Sequence, residues 1–205
     1  MPAPQVQFLY DFGSPNAYLS HRVIPQIEAR TGVRFDYVPV LLGGLFKLAN
    51  NRSPVEAYAE IPNKLAYERL EMQRFIARHA LTAYRHNPHF PVNTLQVMRG
   101  ATAAALDGQL AAYNEAVFSA MWEQGLKMDD PAVIRQALDA AGLDGARTLE
   151  RMQDPAVKAQ LLASTQQAYE RGAFGSPTFF VGIEIYFGKD KLPEVEREIT
   201  RAAQA

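Results

Sequence analysis

The 205-residue sequence contains no cysteine. This absence excludes disulfide bonds, a thiol nucleophile and thiolate metal ligands within the chain. The histidines do not replace them, because His79, His86 and His89 have no carboxylate at a spacing that would complete a metal site. We therefore predict no metal site, and any sulfur chemistry must use a sulfur atom that another molecule supplies.

Long apolar runs and an excess of one charge are also absent. No run approaches the length of a membrane span, and residues 1–5 (Met-Pro-Ala-Pro-Gln) lack the basic and apolar regions of a secretion signal. The net charge of −1 does not favour nucleic acid or a membrane surface as a partner. The composition, 48% apolar and 21% charged, is typical of an ordinary globular protein. We expect a cytoplasmic protein with one substantial core, or one domain that carries an insertion.

The most informative stretch is Tyr-Asp-Phe-Gly-Ser-Pro-Asn-Ala at 10–17. The alternating residues before it predict a strand that ends at Phe12, with a turn at Gly13. Ser14 and Pro15 are typical of the N-cap and the first residue of a helix. Unpaired backbone N–H groups and the positive end of the helix dipole meet at such a start. The sequence therefore predicts that an anion is favoured beside the Ser14 hydroxyl.

The rest of the chain predicts a block of helices between two α/β segments. The first helix should end at Gly32, a second strand should span residues 33–41, and residues 43–54 indicate a loop. Helical patterns dominate after Pro62, and residues 177–187 predict a β-hairpin before a last helix. The simplest architecture is a small α/β sandwich with helices inserted between its halves.

Within the helical block, four apolar residues are spaced so that they share one helix face. They are Leu106, Leu110, Tyr113 and Val117. Phe118 and Trp122 follow at helical spacing, and we expect these aromatic residues to pack in the core or under a lid.

Six segments, in this order and spacing, resemble one protein family. They are Y-D-F-G-S-P-N-A-Y-L at 10–19, L-L-G-G-L-F-K at 41–47, N-R-S-P at 51–54, F-P-V-N-T at 90–94, F-G-S-P-T-F-F-V at 174–181 and F-G-K-D-K-L at 187–192. The chain is similar to the 2-hydroxychromene-2-carboxylate isomerases, which resemble kappa-class glutathione transferases and have a DsbA-type thioredoxin fold. The resemblance implies a thioredoxin-like α/β domain at 1–50 and 170–205, with an inserted all-helical domain at 51–169.

This resemblance implies a chemical role for the first helix. A C-x-x-C motif begins that helix in the thioredoxin family, whereas Ser14-Pro15-Asn16-Ala17 stands here, so dithiol redox chemistry is excluded. Kappa-like enzymes use this serine to hold the sulfur of glutathione, which implies Ser14 as the catalytic residue and Pro15 and Asn16 as glutathione contacts. The alternative is that Ser14 is only an N-cap. A Ser–His–Asp site is less favoured, because Gly13-Ser14-Pro15 lacks the nucleophile-elbow pattern.

A second implied contact is the Ser176-Pro177 peptide. The corresponding proline of thioredoxin-like folds is cis and faces the first helix, so the resemblance implies a cis bond here. The Ser176 backbone could then pair with the cysteinyl main chain of glutathione in the manner of an added strand. The family often has an apolar residue before this proline, and Ser176 departs from that pattern.

The charged groups of the tripeptide and the second substrate also need partners. Matches to kappa-like motifs imply four glutathione contacts: Asn51, Lys64, Lys189 and Asp190. They imply Lys47 and Asn93 for the second substrate. The alternative for each residue is solvated surface, a helix terminus or a loop cap. Lys189 also replaces the neutral residue expected at its position.

The function implied is a glutathione-dependent isomerase of an aromatic, conjugated pyruvate-type acid, with 2-hydroxychromene-2-carboxylate and trans-o-hydroxybenzylidenepyruvate as the model pair. Sulfur adds to the conjugated carbon, a C–C bond becomes free to rotate, and elimination gives the isomer. The alternatives are a kappa-like glutathione transferase or peroxidase, and a redox-inactive thioredoxin-fold binding protein. The resemblance also implies a homodimer.

Overall fold

A four-stranded mixed sheet lies at the centre of the fold. The computed structural model describes residues 4–204, in which the strands are β1 (Val6–Tyr10), β2 (Phe35–Pro39), β3 (Thr178–Val181) and β4 (Glu184–Phe187). Their order is β2-β1-β3-β4, and β1 is parallel to β2 and antiparallel to β3. Strands β3 and β4 form the predicted hairpin, which turns at Gly182 with a φ of 59°.

Helices surround this sheet and fill the long stretch between β2 and β3. Within residues 4–204 they are α1 (Pro15–Thr31), α2 (Leu42–Leu48), α3 (Pro54–Ala57), α4 (Pro62–Arg78), α5 (Leu95–Leu106), α6 (Leu110–Trp122), α7 (Pro131–Ala140), α8 (Gly145–Arg151), α9 (Pro155–Glu170) and α10 (Leu192–Gln204). A short 3-10 helix, Lys189–Lys191, precedes α10. In this described part of the chain no helix is long and apolar enough to cross a membrane. The arrangement confirms the predicted thioredoxin-like α/β fold with many helices.

The predicted limits of the first helix are confirmed. Ser14 is the N-cap of α1, Pro15 is its first residue, and Gly32 ends it in the left-handed conformation with a φ of 71°. The preceding strand ends at Tyr10 rather than at the predicted Phe12. The residues between strand and helix therefore form a longer connection, and this connection carries the candidate site.

The predicted loop at 43–54 was wrong in its first half, because α2 occupies Leu42–Leu48, whereas residues 49–53 do form a loop before α3. A Cβ on Gly44 would approach the Thr165 side chain of α9 to 3.1 Å, and Leu45 is fully buried. Gly44 thus allows α2 to pack closely on α9, and the glycine pair does not interrupt the helix. Tertiary burial decided this element against local propensity.

The helical block and the sheet share one hydrophobic core. The Trp122 indole donates to the Phe12 carbonyl at 2.8 Å, and the Phe12 and Phe118 rings lie 4.7 Å apart. Tyr113, Phe118 and Trp122 are buried, which confirms core packing for the aromatic residues of α6. The prediction that Leu106 shares a helix face with Leu110, Tyr113 and Val117 was wrong. Leu106 is the last residue of α5 and is 55% exposed, whereas the other three lie on α6. The proposed domain limits at residues 51 and 169 stay a prediction.

A polar network joins α1 to α6. Arg22 binds Glu115 at 2.7 Å and Glu123 at 2.5 Å, and His21 contacts Glu115 at 3.3 Å and the Tyr37 hydroxyl at 2.8 Å. The hydrogen bond with His21 and the bond and charge of Arg22 lower the pKa of Glu115 to about 2, against the opposing effect of burial. The network fixes the helix that begins at Ser14 against the helical block.

Candidate active site

The Ser14 hydroxyl makes two hydrogen bonds. Its oxygen accepts from the Ala17 N–H at 3.2 Å, which is the predicted N-cap contact, and its proton is donated to the Ser176 carbonyl at 2.9 Å. The residue is only 4% exposed. Ser14 is therefore a helix cap, as the alternative interpretation held. A role of Ser14 toward sulfur stays a prediction.

The Ser176-Pro177 bond is cis, as the resemblance implied. The Ser176 hydroxyl accepts from the Asp11 N–H at 3.1 Å, while its carbonyl accepts from Ser14. This contact explains the polar residue in a position that is often apolar in the family: the hydroxyl satisfies a buried backbone donor. Ser176 thus joins the C-terminal part of the chain to Asp11 through its side chain and to Ser14 through its main chain.

Asp11 is the residue that the sequence analysis missed. Its side chain is fully buried and accepts from the Gly13 N–H at 2.8 Å and the Leu42 N–H at 2.7 Å. Burial raises the pKa of the Asp11 carboxyl, although these bonds and one with Thr94 act to lower it. The available signal was the carboxylate two residues before a glycine, because Asp side chains often bind a backbone N–H two residues on.

The predicted substrate segments lie around this connection. A Cβ on Gly13 would come within 3.2 Å of the Thr94 methyl group, so the segment that carries the exposed Asn93 lies beside the Ser14 loop. Helix α2 begins at the bond from Leu42 to Asp11, and it carries the exposed Lys47. The structure therefore brings the predicted 41–47, 90–94 and 174–181 segments to one end of β1.

Of the predicted glutathione contacts, Lys189 and Asp190 bind each other. Lys189 is buried; its ammonium binds both Asp190 oxygens, at 2.7 and 2.9 Å, and lies 5.0 Å from the centre of the Phe75 ring. The Asp190 side chain is 61% exposed. The Gly188 N–H donates to the Pro177 carbonyl at 3.0 Å, which holds this pair next to the cis-proline segment.

The remaining predicted contacts lie on surrounding elements. The Asn51 amide donates to the Phe174 carbonyl at 3.1 Å, so its loop is joined to the segment before Ser176. The Lys64 ammonium pairs with Glu68 at 2.9 Å. Pro15 and Asn16, in the first turn of α1, are partly exposed. Their glutathione roles stay predictions.

The fold and this site define a class of protein. The model of the DSBA-like thioredoxin domain matches residues 5–200, and the chain belongs to that family. A 2-hydroxychromene-2-carboxylate isomerase of Sphingobium xenophagum is 27% identical, over 93% of this chain and 95% of its own length. Human glutathione S-transferase kappa 1 is 25% identical over 93% of this chain and 89% of its own length.

Solved structures agree with these relatives. A structure of a 2-hydroxychromene-2-carboxylate isomerase is similar with a TM-score of 0.83 and 25% identity, over 97% of this chain and 96% of that one. A probable DsbA oxidoreductase of Streptomyces coelicolor has a TM-score of 0.68 at 20% identity, over 98% and 90% of the two chains, and shows the shared fold alone. These findings confirm the predicted family resemblance and the prediction of an enzyme.

Proposed function

We propose that the chain is a glutathione-dependent isomerase of an aromatic, conjugated pyruvate-type acid. The observation that carries the proposal is the Ser14 hydroxyl at the start of a 17-residue helix, bonded to the carbonyl of the residue before a cis-proline. Isomerase relatives that match nearly the full chain support the reaction class. The proposed location is the cytoplasm, and the proposed homodimer follows the family resemblance.

The residues around Ser14 fit a thiol peptide in chemical type. A helix N-terminus favours an anion, and the Ser176 carbonyl is a main-chain acceptor suited to a peptide N–H. The exposed Asp190 carboxylate suits an ammonium group, while Lys64 and Asn51 suit carboxylates. Lys189 holds Asp190 in place, because its ammonium binds both oxygens of that carboxylate.

The single proton of the Ser14 hydroxyl determines how this site would work. That proton is donated to the Ser176 carbonyl, so Ser14 must release the carbonyl before it can donate to sulfur. A peptide N–H of glutathione would replace the hydroxyl on Ser176 and leave no buried acceptor unpaired. Peptide binding and sulfur stabilisation are therefore coupled through one hydroxyl.

Bound glutathione supplies a sulfur nucleophile that can add reversibly to a conjugated carbon. An ordinary thiol titrates near pH ~8.5, and lowering its pKa by about two units takes roughly 2.7 kcal/mol. A hydrogen bond from Ser14 to a charged group contributes about 1.5–3 kcal/mol, and the helix dipole about 0.3–1 kcal/mol. These two contributions suffice without a general base.

Two exposed side chains are proposed for the acid. Lys47 on α2 would bind its carboxylate, and Asn93 would bind a carbonyl or phenol oxygen. The Asn93 side chain already accepts from the Leu95 N–H at 3.1 Å, which orients its amide. Both residues stand on segments that contact the Asp11–Ser14 connection.

Glutathione stoichiometry tests this proposal. An isomerase regenerates glutathione at each turnover, so a sub-stoichiometric amount should support many turnovers of trans-o-hydroxybenzylidenepyruvate. The kappa transferase relative favours the second candidate, a transferase, which would consume one glutathione for each conjugate formed. Conjugate accumulation would contradict the isomerase. Calorimetry that detects no binding at millimolar glutathione would contradict both enzymes and favour a binding module.

A further inference from the structure

Asp11 connects the parts of the candidate site through four hydrogen bonds besides the one with Thr94. Its carboxylate accepts from the N–H groups of Gly13 and Leu42, its N–H donates to the Ser176 hydroxyl, and its carbonyl accepts from the Ser14 N–H at 3.0 Å. These partners belong to the Ser14 loop, the start of α2 and the cis-proline segment. The Ser14 loop, the start of α2 and the cis-proline segment are thus bonded to one buried residue, and Thr94, the neighbour of Asn93, also bonds to it.

Stability alone does not account for a carboxylate in this place. Withdrawing a charged group from water is costly, and an apolar or neutral residue in a packed interior is often at least as stable. The carboxylate also has no exposed surface with which to reach a ligand. Its two acceptor oxygens are instead matched to two backbone donors on different segments, which fixes the relative position of those segments.

We propose that Asp11 is a positioning residue: its carboxylate holds the Gly13 and Leu42 N–H groups so that the Ser14 hydroxyl faces the Ser176 carbonyl and α2 presents Lys47 to the same site. The inference rests on the proposed function, because it assigns the effect of Asp11 to the sulfur and to the acid. Asp11 acts through Ser14 and α2 and does not touch the reactants.

An Asp11→Asn variant tests this role. Asparagine keeps the shape but has one acceptor oxygen and a donating NH2 group, so it cannot accept from both N–H groups. We expect the thiol pKa of bound glutathione to rise by about one unit, as for a weakened bond to a charged group. In a Ser14→Ala background the same substitution should add little, because Asp11 acts through Ser14.

An Asp139→Asn variant is the matched control. Asp139 also accepts a backbone N–H, that of Gly145 at 2.9 Å, but it lies on α7, where it contacts the start of α8, and is exposed. We expect Asp139→Asn to change the thermal stability without changing the thiol pKa of bound glutathione. A general loss of folded protein would lower turnover in both variants and would leave the thiol pKa of the bound fraction unchanged.

A Leu42→Pro variant removes the backbone N–H that donates to the Asp11 carboxylate. Leu42 is the first residue of α2, and Leu41 before it is extended, with φ −92° and ψ 110°, as a residue before proline should be. Helices α1, α3, α4, α7 and α9 of this chain begin with proline in the same way. We expect a several-fold higher KM for the acid and a thiol pKa close to that of the wild type.

The double variant Asp11→Asn/Leu42→Pro decides the question if Asp11→Asn alone does not fold. Its asparagine oxygen can accept from Gly13, while the NH2 group no longer opposes an N–H at position 42. Recovery of at least half of the shift in thiol pKa, or of folding, is expected. An Asp11→Asn protein that titrates and turns over like the wild type, or a double variant without recovery, overturns the role of Asp11. Failure of the wild type to bind glutathione overturns the proposed function itself.

Discussion

A Ser14→Ala substitution removes two hydrogen bonds whose consequences can be separated. One is the bond from the Ala17 N–H at 3.2 Å, and the other is the bond to the Ser176 carbonyl at 2.9 Å. Loss of an N-cap costs about 0.5–2 kcal/mol, and a buried carbonyl without a donor costs about 1–3 kcal/mol. We expect the free energy of unfolding to fall by roughly 1.5–5 kcal/mol, with the fold retained.

The same substitution should affect bound sulfur more than peptide binding. Loss of a hydrogen bond to a charged group, about 1.5–3 kcal/mol, corresponds to a rise of about 1–2 units in the thiol pKa. Affinity for the neutral thiol form should be kept, because the ligand N–H can reach the Ser176 carbonyl without displacing a hydroxyl. With a wild-type thiol pKa of ~6.5, turnover near neutral pH should therefore fall by about 3–25-fold as the thiolate fraction decreases.

Ultraviolet absorbance of the thiolate, followed against pH with glutathione saturating, measures this shift. Asp130→Ala is the control, because Asp130 caps α7 ahead of Pro131 as Ser14 caps α1 ahead of Pro15, and it accepts from the Ala132 N–H at 2.9 Å. The control should lose stability without moving the thiol titration. If wild type and Ser14→Ala titrate together, Ser14 is only a helix cap and the proposed sulfur role is refuted.

Three further predictions concern the acid site, the α1–α6 network and the core. Lys47→Ala should raise KM for the acid several-fold and leave glutathione affinity unchanged by calorimetry; unchanged KM would remove Lys47 from the site. The hydrogen bond with His21 is the main cause that lowers the pKa of Glu115 from 4.5 to about 2, so its stabilisation is present above pH 4.5 and is lost as the pH falls toward 2. In Glu115→Gln the free energy of unfolding should decrease less as the pH falls from 4.5 to 2. The difference should be no more than about 1 kcal/mol, because the Glu115 carboxylate is more than half exposed. Gly100→Ala should lower thermal stability by about 1–3 kcal/mol, since the added methyl group overlaps the Tyr113 hydroxyl; an unchanged melting temperature would contradict this packing.

Local features of the chain could be predicted well because their causes are local. Ser14-Pro15 begins a helix through a side-chain cap and a preset φ, and Gly32 ends it because glycine adopts a positive φ easily. The hairpin at Gly182 follows the same logic. The first half of the predicted loop at 43–54 was wrong because the signal at Gly44 was tertiary: the glycine allows close contact with Thr165, 121 residues away in the sequence.

Part of the candidate site was also accessible from the sequence. The missing cysteines excluded dithiol chemistry, and the family-like segments named Ser14 and the cis bond at Pro177, which the structure has. The segments of Lys47 and Asn93 were named without any physical reason why they should meet. That reason is Asp11, whose bond to Leu42 and position beside Thr94 bring both segments to the end of β1.

The sequence by itself determined which chemistry is impossible, where the main helix starts and which short segments carry reactive groups. Only the tertiary structure decided how those groups are used. In the folded protein the Ser14 hydroxyl donates to the Ser176 carbonyl, and Lys189 is buried against Phe75. The Asp11 carboxylate accepts from two backbone N–H groups. Caps and turns depend on neighbours within a few residues, so they leave a pattern in the sequence. Hydrogen bonds such as Ser14–Ser176 join residues far apart in the chain, and they exist only after the core has brought β1, α2 and β3 together.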